Sequence, residues 1–331
     1  MSKVIPTIIL CALPASGKSE ARRYLDTREE EVCRDFFHFG TTVQLDDYPY
    51  VHLSRVIDDA LEEIEEDRLF FESADKSAND SRIWGFLVEL LNEDYANLTR
   101  PECKPAETQS CYTNWLMARF DAARVRVGME PFFIGLSDKI KAHLVEKVEE
   151  EAKQAYDDLL SNIPDTLEGK TVVIEFARGG PVDMDLPLTN HFGYEYSFGR
   201  LAPEILQNAG VLYIWVTPEQ SRAKNRARAD PNNPGSILNH GVPEFVMYND
   251  YGQDDIEYML EKSDKPHTVV VKSHGQEFYL PVGRFDNRED YTTFLRRDME
   301  TWTEEELSNI RTAMNKAIVE ELWPAFNDLH Q

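Results

Sequence analysis

Apolar positions fall along this chain in two periods. Nearly unbroken runs at 5–11, 171–176 and 211–216 are rich in Val and Ile, as buried parallel strands are. A shorter run at 41–45 ends in Asp46-Asp47, and 267–271 is a further candidate strand. Gly210, just before the run at 211–216, reads as the stop of a preceding helix. Elsewhere the period turns helical, at 53–65, 83–98, 112–128 and 136–160. The last of these is amphipathic and rich in Glu and Lys, which predicts a long helix facing solvent. Pro101 and Pro105 mark 99–110 as a loop, and Thr303-Glu304-Glu305-Glu306 is an N-cap sequence opening a helical segment to 329. Strands followed by helices predict an α/β fold: a parallel sheet flanked by helices, with ligands at the carboxyl ends of its strands.

The sharpest local signal joins the first strand to a helix-compatible stretch: Ala12-Leu13-Pro14-Ala15-Ser16-Gly17-Lys18-Ser19-Glu20. Strand, tight turn and helix N-terminus in that order suit a phosphate-binding loop. Backbone N–H groups of the turn then point at an anion that the helix dipole also favours. Leu13, Pro14, Ala15, Ser16, Gly17, Lys18, Ser19 and Glu20 would form the cradle. Lys18 would reach the outer phosphates of ATP and Ser19 would hold Mg2+. Ala12 stands where the usual pattern has its first glycine, and alanine is the smallest substitute. The expected cofactors are ATP and Mg2+, in a P-loop NTPase-type sheet.

At 331 residues the chain exceeds one typical domain, and 42% apolar residues can bury a substantial core. Sixty acidic against thirty-five basic residues give a net charge of −25, which disfavours a nucleic-acid partner. No apolar run reaches membrane-span length, and the N-terminus enters a strand without a leader pattern, so no membrane partner is expected. The four cysteines lack metal-type spacing, and Cys11 sits in a predicted buried strand. A cytoplasmic location is expected.

Other candidate chemistry gathers at predicted strand ends. Asp46 and Asp47 could serve as a general base and a magnesium-orienting carboxylate, or equally cap the next helix. Glu175 could orient Mg2+ through water, and the neighbouring Arg178 could contact substrate or phosphate. Ser221-Arg222-Ala223-Lys224-Asn225-Arg226-Ala227-Arg228 is the densest basic cluster in an acidic chain. Arg222 and Arg226, four apart, share a helical face and could clamp a transferring phosphoryl group. Asn232-Asn233-Pro234-Gly235 then reads as a flexible turn of a lid. Arg200 reads as the start of a helix facing the acceptor. His191 and His240 read as structural or solvent-facing, and the stretch from Trp84 to Tyr95 as core.

The segment Val43-Gln44-Leu45-Asp46-Asp47-Tyr48 resembles the second-strand signature of small-metabolite P-loop kinases such as uridine and nicotinamide riboside kinases. The arginine segment resembles the lid of adenylate-kinase-like P-loop kinases. The resemblance covers 1–47 and 171–271, and it implies that Asp46 is the catalytic base and Tyr48 the aromatic beside it. The domains expected are a nucleotide-binding core at 1–48 and 171–300, with a lid near 218–240. A large helical insertion at 49–170 would form the acceptor region, followed by a helical segment at 301–331. The function expected is a kinase moving the γ-phosphate of ATP to a hydroxyl of a small-molecule acceptor such as a nucleoside. A nucleotide monophosphate kinase, a toxin-like sugar-nucleotide kinase and an ATP-binding switch that binds a protein partner through the insertion are the alternatives.

Overall fold

The structure, a computed structural model, describes residues 4–228 and 241–330. It is an α/β fold built on a six-stranded, mostly parallel sheet flanked by helices. The strands are β1 (Thr7–Cys11), β2 (Thr41–Asp46), β3 (Lys170–Phe176), β4 (Ala209–Trp215), β5 (Thr268–Ser273) and β6 (Gln276–Asp286), in the order β2-β3-β1-β4-β6-β5. Five run parallel, with Ile9 beside Ile174 and Val211; only β5 is antiparallel, on β6.

Alternation along the central strands feeds two cores. Ile9, Cys11, Val172, Ile174, Val211 and Tyr213 face one way; Ile8, Leu10, Val173, Leu212 and Ile214 face the other. The first face is covered by α4 (Ile83–Thr99), α7 (Gly193–Arg200), α8 (Pro203–Asn208) and α11 (Ile256–Lys262), through residues such as Val88, Phe198, Ile205 and Met259. The second is covered by α1 (Lys18–Asp26), α12 (Glu304–Met314), a π-helical stretch (Asn315–Leu322) and α13 (Trp323–Leu329). Thr303 caps α12 as its sequence predicts: its hydroxyl accepts from the Glu306 amide, and the Glu306 carboxylate accepts from the Thr303 amide.

Between β2 and β3 run α3 (Tyr48–Glu62), α4, α5 (Tyr112–Arg126) and α6 (Asp138–Ser161). They bury a third core of their own, including Leu53, Ile57, Leu87, Leu116, Phe120, Leu144 and Val148. Because α4 serves this core with Leu87 and Leu90 and the sheet with Val88 and Leu91, it is apolar nearly all round. The long α6 buries Leu144, Val148, Ala152 and Tyr156, every fourth position, and is otherwise largely solvent-facing, as expected. Asp58 on α3 is fully buried and accepts from the amides of Leu69, Phe70 and Phe71, fixing the connection that follows. Removing that carboxylate would leave buried donors unpaired, at about 1–3 kcal/mol each.

Three expectations are corrected. The strand predicted at 267–271 is β5, the antiparallel edge, and the parallel neighbour of β4 is β6, which Pro281 and Gly283 disguise. A Cβ at Gly283 would lie 2.0 Å from the Ala317 carbonyl oxygen, so the strand needs glycine where the π-helical stretch crosses it. Gly210 lies inside β4 rather than stopping a helix; its missing Cβ makes room for Leu322. The helix predicted at 53–65 begins earlier, at Tyr48, since Pro49 is tolerated in a first turn.

Two adjacent carboxylates tie α7 to the sheet. Asp254 accepts from the Tyr213 hydroxyl, while Asp255 accepts from the Tyr194 and Glu195 amides at the start of α7. Burial foremost, then the Asp255 charge, pushes Asp254 up to about 7 from 3.8, and burial pushes Asp255 up to about 6. Raised carboxyl values mean that the folded state holds protons the unfolded chain has lost, so stability falls as pH rises from 3.8 toward 7. Each such group contributes a slope of up to about 1.4 kcal/mol per pH unit. Denaturation from pH 5 to 8 is expected to show this decline, with a shallower slope in Asp254→Asn; equal slopes would contradict the assignment.

Candidate functional site

The loop between β1 and α1 lies at the carboxyl end of the central strand and is held from three sides. The Tyr194 hydroxyl accepts from the Ala12 amide at 2.9 Å and sits 3.1 Å from the Ala12 carbonyl oxygen. Ser221 Oγ donates to the Pro14 carbonyl at 2.7 Å, and Asn287 Nδ2 donates to the Ser16 carbonyl at 2.7 Å. Fixing these carbonyls fixes the peptide planes that carry the loop's N–H groups. Ala15 at φ 58° and Gly17 at φ 98° turn the backbone tightly, and no side chain caps the N-terminus of α1. Successive amides in such a turn form an anion-binding concavity. Ser16 Oγ is buried there without a hydrogen-bond partner, a polar atom that a bound phosphate would satisfy. The chemistry of the loop therefore suits an anion such as phosphate.

Parallel register brings carboxylates to the same edge: Asp46 ends β2 directly beside Glu175 on β3. Glu175 Oε1 lies 3.3 Å from Lys18 Nζ, and its Oε2 accepts from Arg22 Nη1 at 2.8 Å. Asp46 Oδ1 accepts from the Tyr48 amide at 2.8 Å, so the side chain of Asp46, not that of Asp47, hydrogen-bonds the start of α3. Burial foremost, then the Asp47 and Glu175 charges, raises Asp46 to about 6 against the opposing pull of Lys18.

Leu13, Pro14, Ala15, Ser16, Gly17, Lys18, Ser19, Glu20, Asp46, Asp47 and Glu175 all line one cavity of about 750 Å3. Its far wall comes from α3, the connection after it, Trp84, and the stretch around α10 (Glu244–Asn249). Two of these lining residues carry structural duties as well. Glu20 pairs with Arg296 at 2.6 Å, and Asp47 Oδ2 accepts from Arg178 Nη1 at 2.7 Å.

Four arginines singled out in the sequence do not join the cavity lining. Arg178, 2% exposed, also donates to Ser197 Oγ and to the Ala177 and Trp84 carbonyls, which commits it to the fold. Arg200 ends α7 rather than starting a helix, and pairs with Glu89. On α9 (Pro218–Arg228), Arg222 is buried under Tyr248 and donates to the Gly252 carbonyl, whereas the exposed Arg226 pairs with Glu244 at 2.9 Å. Asn225 and Arg228 of the same helix do line the cavity. The expected turn at 232–235 and His240 lie outside the described residues, so of the expected lid the structure describes only residues 218–228. Sequence reading missed Tyr194, Ser221 and Asn287, which hold the loop from afar, and Arg55, Lys76, Asp250 and Tyr251 on the far wall. The α3 periodicity did carry a signal for one of them: Tyr48, Val51, His52, Arg55 and Asp59 repeat at helical spacing along one face.

Gly17 is required twice over, by its positive φ and because a Cβ there would lie 2.3 Å from Thr292 Oγ1. Gly17→Ala is expected to lower stability to denaturant by about 2 kcal/mol, the range for a strained backbone plus a close contact. Adding Thr292→Ala should restore only part of it. An unchanged stability would contradict this geometry.

No protein-family model matches the chain and no curated protein matches it, so the geometry itself carries the functional reading.

Proposed function

We propose that this chain is a P-loop kinase: an ATP-dependent phosphotransferase that moves the γ-phosphate to a hydroxyl of a small acceptor. One observation carries the reading: a loop suited to phosphate and a half-buried carboxylate raised to about 6 share a single cavity. A loop after the central strand of a parallel sheet supports it further. On this reading α3–α6 form a helical insertion that supplies the acceptor wall, and the setting is cytoplasmic.

In the reaction, the acceptor oxygen forms a bond to the γ-phosphorus while the bond from that phosphorus to the β–γ bridging oxygen breaks. ADP departs, and the hydroxyl proton passes to Asp46. Asp46 suits the role better than Asp47, whose carboxylate is engaged by Arg178. A base near 6 is ionised at neutral pH yet still basic enough to assist transfer. Lys18, now 3.3 Å from Glu175, would exchange that partner for phosphate oxygens. Bound Mg2+ would neutralise phosphate charge, with Ser19 holding it and Glu175 and Asp46 acting through water. Among the described residues no three His, Cys, Asp or Glu side chains form a metal site of their own, which suits an ion held largely by phosphate and water.

The test is Mg2+-dependent ATP consumption against pooled nucleosides, nucleotides, sugars and vitamin precursors. Acceptor-dependent turnover is expected, lost in Lys18→Ala and reduced at least 100-fold in Asp46→Asn. Activity should rise with pH through about 6 as Asp46 ionises. Turnover unaffected by both substitutions would refute the proposal.

A further inference from the structure

Two cations line the wall built from α3 and the connection after it, with the Asp58, Asp59 and Asp250 carboxylates near Arg55 but not paired with it. Arg55 lines it from α3. Its Nη1 donates to the Ala74 carbonyl at 2.7 Å and its guanidinium lies 4.4 Å from the centre of the Phe71 ring. Among the described residues it forms no ion pair, and burial holds its pKa below the usual arginine value. Lys76 lines the same wall 3.7 Å from the centre of the Phe245 ring, again with no ion pair among the described residues. Their neighbour Arg68 is the contrast: Asp59 and Glu62 each bind its Nη1 at 2.8 Å. A half-buried guanidinium with one of its five N–H donors engaged is a strong site for a planar, bidentate anion.

This placement is built in. Asp58 anchors the backbone of residues 69–71, which sets Phe71 beneath Arg55. Seven residues of helix separate Tyr48, next to the base, from Arg55, a rise of about 10 Å. Arg55 therefore sits about two helical turns along α3 from the residue beside the base. The same cavity is lined by Trp84 and Tyr251, whose rings are 5.8 Å apart, and by the buried Asp250 carboxylate, which can accept from hydroxyl or N–H groups.

Resting on the kinase reading above, we propose that the acceptor is a hydroxyl compound carrying its own phosphate, of nucleotide or sugar-phosphate size. Arg55, with Lys76, binds that phosphate while the hydroxyl at the other end meets Asp46. The acceptor's phosphate is a handle and takes no part in bond making.

Matched pairs provide the test: nucleosides with their 5′-monophosphates, and hexoses with hexose phosphates. Each is titrated by calorimetry into the protein loaded with a non-hydrolysable ATP analogue and Mg2+. At least one phosphorylated member is expected to bind tenfold or more tightly than its neutral partner. Arg55→Ala should abolish that preference and Arg55→Lys retain part of it, both with analogue affinity unchanged. If every pair binds equally or not at all, or if the preference survives Arg55→Ala, the acceptor class is wrong while the kinase reading stands. Failure of the wild-type protein to load with the analogue would instead overturn the kinase reading, and this proposal with it.

Discussion

The register of three parallel strands governs this molecule. With β1 between β3 and β4, and β2 outside β3, the chain turns out of Cys11 into the loop just where Asp46 and Glu175 finish. Charges gathered there are costly to bury unless each has a partner. Glu175 answers Lys18 and Arg22, and Arg178 answers Asp47. Asp46 is the member left with a backbone amide rather than a cation within salt-bridge distance, so burial raises its pKa. The same arrangement that makes this edge expensive leaves one carboxylate without a cationic partner and with a raised pKa.

The loop itself is held by residues far apart in the chain. Tyr194, Ser221 and Asn287 reach it from the starts of α7 and α9 and from the end of β6. Tyr194 is in turn seated by Asp255, so the loop's geometry leans on the buried acidic pair beside β4. Strain at Ala15 is thus sustained by the surrounding fold, the arrangement expected where a backbone must present its amides to a ligand.

What could be read in advance divides along the same line. The loop is legible because its glycine, lysine and serine are contiguous and flanked by a clear strand and helix. The carboxylates were legible as strand ends, since a parallel sheet gathers its ligands there. β6 was not, because Pro281 and Gly283 break the strand pattern for reasons that arise from β5 pairing and from the π-helical crossing. Arg222 and Arg226 misled because a dense basic cluster shows charge but not where each guanidinium is spent. Here Arg222 holds the backbone at Gly252 and Arg226 meets Glu244. Arg55 escaped notice for the opposite reason: lone in an ordinary helix, it gains meaning only from lining a cavity without an ion pair among the described residues.

The most direct measurement is a crystal structure with a non-hydrolysable ATP analogue and Mg2+. This account predicts the β- and γ-phosphates on the amides from Ala15 to Ser19, Lys18 moved from Glu175 onto phosphate, and the γ-phosphate facing Asp46. A nucleotide bound elsewhere, such as the separate cavity lined by Tyr291, Arg297 and Asn309, with the loop left empty, would contradict it.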